Sequence, residues 1–168
     1  MEIQPTILTG WNVEFFDVNY LYNRAQQVVG KEVANVLSPI GQVQWSDFSK
    51  RYKIAGVSVL DYLALYKTFT FSQQSSYRLD YIGEVEVGEK KVEYEGTLND
   101  LYENDIDKFV QYNLQDVKLV KRIDEKLNFI EIGRGIAHLG HCPYEDVFMS
   151  SRYLEGAILV YLKKKGIV

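Results

Sequence analysis

An α/β front half followed by a helical back half is the architecture that the sequence predicts, and three features predict it. Ile7-Leu8-Thr9-Gly10 is a short apolar run closed by glycine, the pattern of a buried strand that stops at a loop. Between Asp17 and Val29 the apolar residues Val18, Leu21, Tyr22, Ala25, Val28 and Val29 recur at helical spacing, and Gly30 follows as a stop. From Leu98 onward nearly the whole chain keeps a helical period.

Each element follows from local signals. Trp11 to Phe16 forms the loop after the first strand, so Asp17 stands at a strand-to-helix junction, where an acid serves either as an N-cap or as a metal ligand. Pro39-Ile40-Gly41 breaks the chain. Val43 to Trp45 and Tyr52 to Ile54 then flank the polar stretch Ser46 to Arg51, as two strands flank a hairpin turn. Val57 to Leu60 reads as a further strand, and Asp61 opens a helix that runs to about Tyr66. Ser75-Ser76 caps a short helix containing Leu79 and Ile82, and Gly88 to Gly96 is a charged excursion. The strongest helical signal spans Asp105 to Ile130, with Phe109, Tyr112, Asp116, Leu119, Val120 and Ile123 along it. Neither an internal repeat nor a low-complexity segment is present, which argues against a solenoid.

Composition narrows the functional classes. With 168 residues, 46% of them hydrophobic, the chain can bury one substantial core. A net charge of −4 and a pI near 5.3 leave no basic footprint for non-specific phosphate binding, so any DNA is held locally. The single cysteine, Cys142, excludes an internal disulfide framework and a multi-cysteine zinc site, and it suits a reducing compartment. No apolar run reaches the length of a membrane span, and the first residues do not read as a signal peptide, so a soluble intracellular protein is expected. Thirteen tyrosines and eight phenylalanines serve core packing or base stacking.

A few side chains could carry chemistry. Tyr112-Asn113-Leu114-Gln115-Asp116 puts a phenol and a carboxylate four residues apart, hence on one helix face. His138 and His141 flank Leu139-Gly140 next to Cys142, but with no fourth ligand nearby they read as structural. Lys163-Lys164-Lys165 reads as a solvated helix end, where cations suit the helix dipole. Glu84-Val85-Glu86 reads as a solvated surface beside a glycine-rich turn.

In order, two strings carry a resemblance. ILTGWNVEFFD resembles the second exonuclease motif of family B DNA polymerases of the tailed-phage type, an Asn followed by Phe or Tyr and then Asp. YNLQD resembles their third motif, a Tyr a few residues before a catalytic Asp. The intervening SPIGQV and GVSVLDYLALYKTF resemble a stretch that includes a β-hairpin, and HLGHCPYEDVFMSSRYLEGAILVYLKKKGIV resembles a helical lead toward the polymerase palm.

The resemblance implies a partial ribonuclease-H-like (DnaQ-like) 3′→5′ exonuclease fold over residues 1–130 and a helical segment over 131–168. It implies Asp17, Tyr112 and Asp116 as catalytic residues, with Asp17 and Asp116 as ligands of two Mg²⁺ or Mn²⁺ ions, and Asn12 and Phe16 as contacts to terminal nucleotides. Hard divalent cations prefer carboxylate oxygens, which accounts for such a residue set. The implied partners are a single-stranded primer 3′ end and the remainder of the polymerase chain, without a membrane, and the implied location is the host cytoplasm. The family's first motif, Asp-x-Glu, occurs nowhere in the sequence, so the isolated chain is expected to be inactive. Loss of the first strands also leaves a sheet edge at Ile7 to Thr9, which predicts a homodimer. The alternative reading is a non-catalytic nucleic-acid-binding or structural module on the same fold.

Overall fold

The computed structural model describes residues 5–89 and 96–167. Its elements are strand β1 (Ile7–Gly10), helices α1 (Asp17–Val29) and α2 (Lys31–Ala34), strands β2 (Val43–Ser46), β3 (Arg51–Ile54) and β4 (Ser58–Asp61), and helix α3 (Tyr62–Phe69). Helices α4 (Leu79–Val87), α5 (Leu98–Asn104), α6 (Ile106–Leu127), α7 (Phe129–Gly140) and α8 (Ser150–Lys164) follow. The α/β front and helical back are therefore as expected, with small sheets: β1 pairs in parallel with β4, and β2 pairs with β3 as an antiparallel hairpin. No helix among the described residues is long and apolar enough to cross a membrane.

The chain divides into two compact units, Met1–Thr70 with Phe129–Val168, and Phe71–Asn128. In the first, α1 packs on the hairpin because its inward positions, Val18 and Tyr22, are buried with Val43, Ile54, Val57 and Val59. Polar ties fix the same junction. The Asn19 Oδ1 accepts the Tyr52 N–H at 3.2 Å, the Tyr52 hydroxyl donates to Asn23 at 2.8 Å, and the Tyr22 and Tyr52 rings lie 4.5 Å apart. Trp11 stacks on Tyr62, and Phe129 meets Tyr62, Tyr66 and Phe69, so these aromatics act in packing. Helices α7 and α8 cross at two glycines: a Cβ on Gly156 would lie 2.0 Å from the Gly140 carbonyl oxygen.

In the second unit α4 lies on α6, with Ile82, Leu119 and Ile123 buried and Gly83 directly against Leu119. Thr97 caps α5 through a reciprocal pair of hydrogen bonds with Asp100.

Several expectations need correction. The helix expected over Asp105 to Ile130 ends at Leu127, because Asn128 takes the left-handed conformation (φ 55°) that asparagine tolerates and that closes helices. The cap of the short helix is not a Ser75-Ser76 bond to its first turn: Arg78 occupies the cap position without a side-chain bond, and Ser76 instead accepts the Arg78 N–H at 3.3 Å. Glu84 to Glu86 lie inside α4, and Glu86 is not a solvated side chain. Its carboxylate is covered, 13% exposed, and pairs with Lys126 of α6 at 2.9 Å. Of the charged excursion, residues 90–95 lie outside the described residues.

Candidate exonuclease site

The loop from Trp11 to Phe16 is built from the register of β1 and β4. That register sets Gly10 beside Asp61, so the carboxylate at the end of β4 sits under the loop that leaves β1. Asp61 is 3% exposed. Its Oδ1 accepts the N–H groups of Asn12 at 3.0 Å and Leu63 at 2.9 Å, and its Oδ2 accepts that of Glu14 at 3.2 Å. It therefore caps α3, as the sequence predicts, and clasps the loop as well. Asn12 is held at φ 63°, Val13 is buried in the core, and a Cβ on Gly10 would press on Val13 at 3.2 Å. Glu14 is ion-paired with Arg51 of the hairpin.

Asn12, Phe16 and Asp17 thus come together on one short loop and the first residue of α1, with Phe16 67% exposed. Asp17 does not cap α1: Phe16 holds the cap position and makes no side-chain bond, while Asp17 is the first helical residue. Partial burial pushes the Asp17 carboxyl above its ordinary value of 3.8 and the negative charge of Asp61 adds to this, while its own backbone N–H acts against it. Burial also raises Asp61, opposed by the N–H groups of Asn12, Leu63 and Ala64 and by the charge of Lys67.

Tyr112 and Asp116 belong to the second unit, where both are half-buried and stand one turn apart on α6. His138, His141 and Cys142 close the C-terminus of α7. His141 takes a left-handed conformation (φ 49°) and the Cys142 N–H bonds the Ala137 carbonyl at 3.1 Å, so this cluster finishes a helix. Lys163 and Lys164 occupy the last turn of α8, as expected of a solvated end.

The comparisons with known proteins agree with the motif strings. The family model for the DNA polymerase family B exonuclease domain matches residues 1–82. The DNA-directed DNA polymerase of Escherichia phage RB69 is 36% identical over 168 residues, covering 96% of this chain and 19% of that protein. The chain resembles the family B DNA polymerases, and its residues 1–82 match their exonuclease domain. The DNA-directed DNA polymerase of Enterobacteria phage T4 is 34% identical over 166 residues (95% of this chain, 18% of that protein). A DNA polymerase of Guinea pig cytomegalovirus (strain 22122) is 26% identical over 167 residues (89% and 15%). The chain spans about a fifth of the length of these relatives.

The divalent cations that the resemblance implies do not find a complete site here. Among the described residues no group of three or more His, Cys, Asp or Glu side chains is placed to hold a metal ion. Asp61, the acidic neighbour of Asp17, already spends both oxygens on main-chain N–H groups. The loop clasp is the feature that sequence reasoning missed. Its signal was faint: an acid closing a strand, with nothing local to say which other strand lies beside it.

Proposed function

We propose that this segment serves proofreading in a DNA-directed DNA polymerase, as part of a ribonuclease-H-like 3′→5′ exonuclease that removes nucleotides from a single-stranded primer end. Residues 1–130 belong to that domain, and 131–168 lead toward the polymerase palm. Asn12 and Phe16 contact the terminal nucleotides, Asp17 and Asp116 are ligands of Mg²⁺ or Mn²⁺ in the complete enzyme, and Tyr112 orients the attacking water. The observation that supports this reading best is the exposed Asn12, Phe16 and Asp17 on a clasped loop, within a chain similar over 96% of its length to a phage polymerase. The partners are DNA and the rest of the polymerase, in the host cytoplasm. In the polymerase that carries this segment, Asp17→Ala and Asp116→Ala should each abolish 3′→5′ degradation and leave nucleotide addition intact. Retained degradation in both variants would refute the assignment.

A second reading is a non-catalytic nucleic-acid-binding or structural module, since among the described residues no metal-holding group of three or more His, Cys, Asp or Glu forms. DNA binding without degradation in the complete polymerase would select it. The other edge of β1 would pair with a second copy of this chain, since β4 is its strand neighbour among the described residues. Light scattering at micromolar concentration tests this, and a monomer unaffected by Ile7→Lys would remove it.

A further inference from the structure

We propose that Asp61 is the positioning residue of the candidate site: by clasping the N–H groups of Asn12 and Glu14 it fixes the loop that presents Asn12, Phe16 and Asp17. The inference rests on the nucleotide-binding reading of that loop, and its geometry stands apart from it. Asp61 is buried at 3% exposure, while Asn12, Phe16 and Asp17 of the loop it holds are exposed. Three main-chain donors at 2.9 to 3.2 Å use its two oxygens, one donor from α3 and two from a loop about fifty residues earlier in the chain. Hydrogen bonds to an ionised acceptor are stronger than neutral ones. One carboxylate thus ties the start of α3 to the departure of the loop from β1, where Asn12 takes the left-handed conformation that asparagine tolerates. Phe16 and Asp17 follow directly, so their placement at the start of α1 is set from β4. With three of its roughly four acceptor sites taken by main-chain N–H groups, Asp61 is suited to hold the backbone.

Two substitutions separate clasp from cap. Serine at 61 still caps α3 but is too short to reach the loop, whereas asparagine caps equally well and turns an NH₂ donor toward one of the loop N–H groups. In the full 168-residue chain, Asp61→Ser should speed amide hydrogen exchange at Asn12 and Glu14 by about tenfold or more and leave Leu63 within about twofold. Asp61→Asn should speed exchange at Glu14 more than at Asn12. Should Asp61→Ser fail to fold, Asp61→Asn decides alone. Unchanged exchange at Asn12 and Glu14 overturns the proposal. A short oligothymidylate then reads the consequence: Asp61→Ser should weaken its binding by about tenfold with the unfolding temperature held in the native range. Unweakened binding in Asp61→Ser, where Phe16→Ala does weaken it, also overturns the proposal. If Phe16→Ala leaves binding unchanged, the nucleotide reading of the loop falls, and the exchange data still decide the role of Asp61.

Discussion

Glu14 of the loop before α1 is ion-paired with Arg51 of the β2–β3 hairpin, joining residues 37 apart in sequence. The Glu14 side chain is 11% exposed and that of Arg51 32%, so the pair is largely shielded and leaves a costly orphan when one partner goes. Arg51→Ala should destabilise the chain by about 1–3 kcal/mol in urea unfolding. The double variant Glu14→Gln/Arg51→Ala should recover part of that loss. An Arg51→Ala chain as stable as the parent would show that the pair contributes nothing.

Asp17 gives a pH dependence of defined sign. Its folded pKa is raised above 3.8, so the fold favours the neutral acid. The stability this contributes is present below 3.8 and is lost as pH rises through the raised folded value. Asp17→Asn should therefore be more stable than the parent at neutral pH, by less than about 1 kcal/mol because solvent screens an exposed group. The difference should vanish below the ordinary carboxylate range. Thermal unfolding from acid to neutral pH tests this, and an advantage that grows on acidification would reverse the assigned cause.

The α7–α8 crossing depends on missing side chains. A Cβ on Gly156 would stand 2.0 Å from the Gly140 carbonyl oxygen, and one on Gly140 would stand 2.4 Å from the Tyr153 Cβ. Backbone cannot yield as a flexible side chain does, so Gly156→Ala should cost about 1–3 kcal/mol and speed amide exchange along α8. Unchanged exchange in α8 would mean that the helices do not cross there.

Exonuclease activity should be absent from the 168-residue chain alone with Mg²⁺ or Mn²⁺, since Asp-x-Glu is missing from the sequence and the described residues form no metal cluster. Degradation of single-stranded DNA that disappears in Asp116→Ala would contradict this.

On the proposed roles, Tyr112→Phe in the complete polymerase should reduce proofreading less than Asp116→Ala, because it would remove one orienting hydrogen bond and no metal ligand. Equal losses would show that the roles of these two residues on α6 are misassigned.

By itself the sequence determined the strand at Ile7–Gly10, the helix at Asp17–Val29, the hairpin, the cap at Asp61 and the helical back half. These depend on signals a few residues long: apolar periodicity, a glycine stop, a carboxylate ahead of unpaired N–H groups. It also held the two motif strings that carry the family resemblance, because those are matters of residue order. Only the tertiary structure decided that Asp61 also clasps Asn12 and Glu14, that Arg51 reaches Glu14, that Lys126 covers Glu86, and that Gly140 meets Gly156. The break at Asn128 belongs with these, since asparagine tolerates several conformations and local preference alone leaves the choice open. Each of the long-range contacts joins residues 16 to 49 positions apart. Their partners are chosen by strand register and helix packing, which bring together side chains that no local pattern relates.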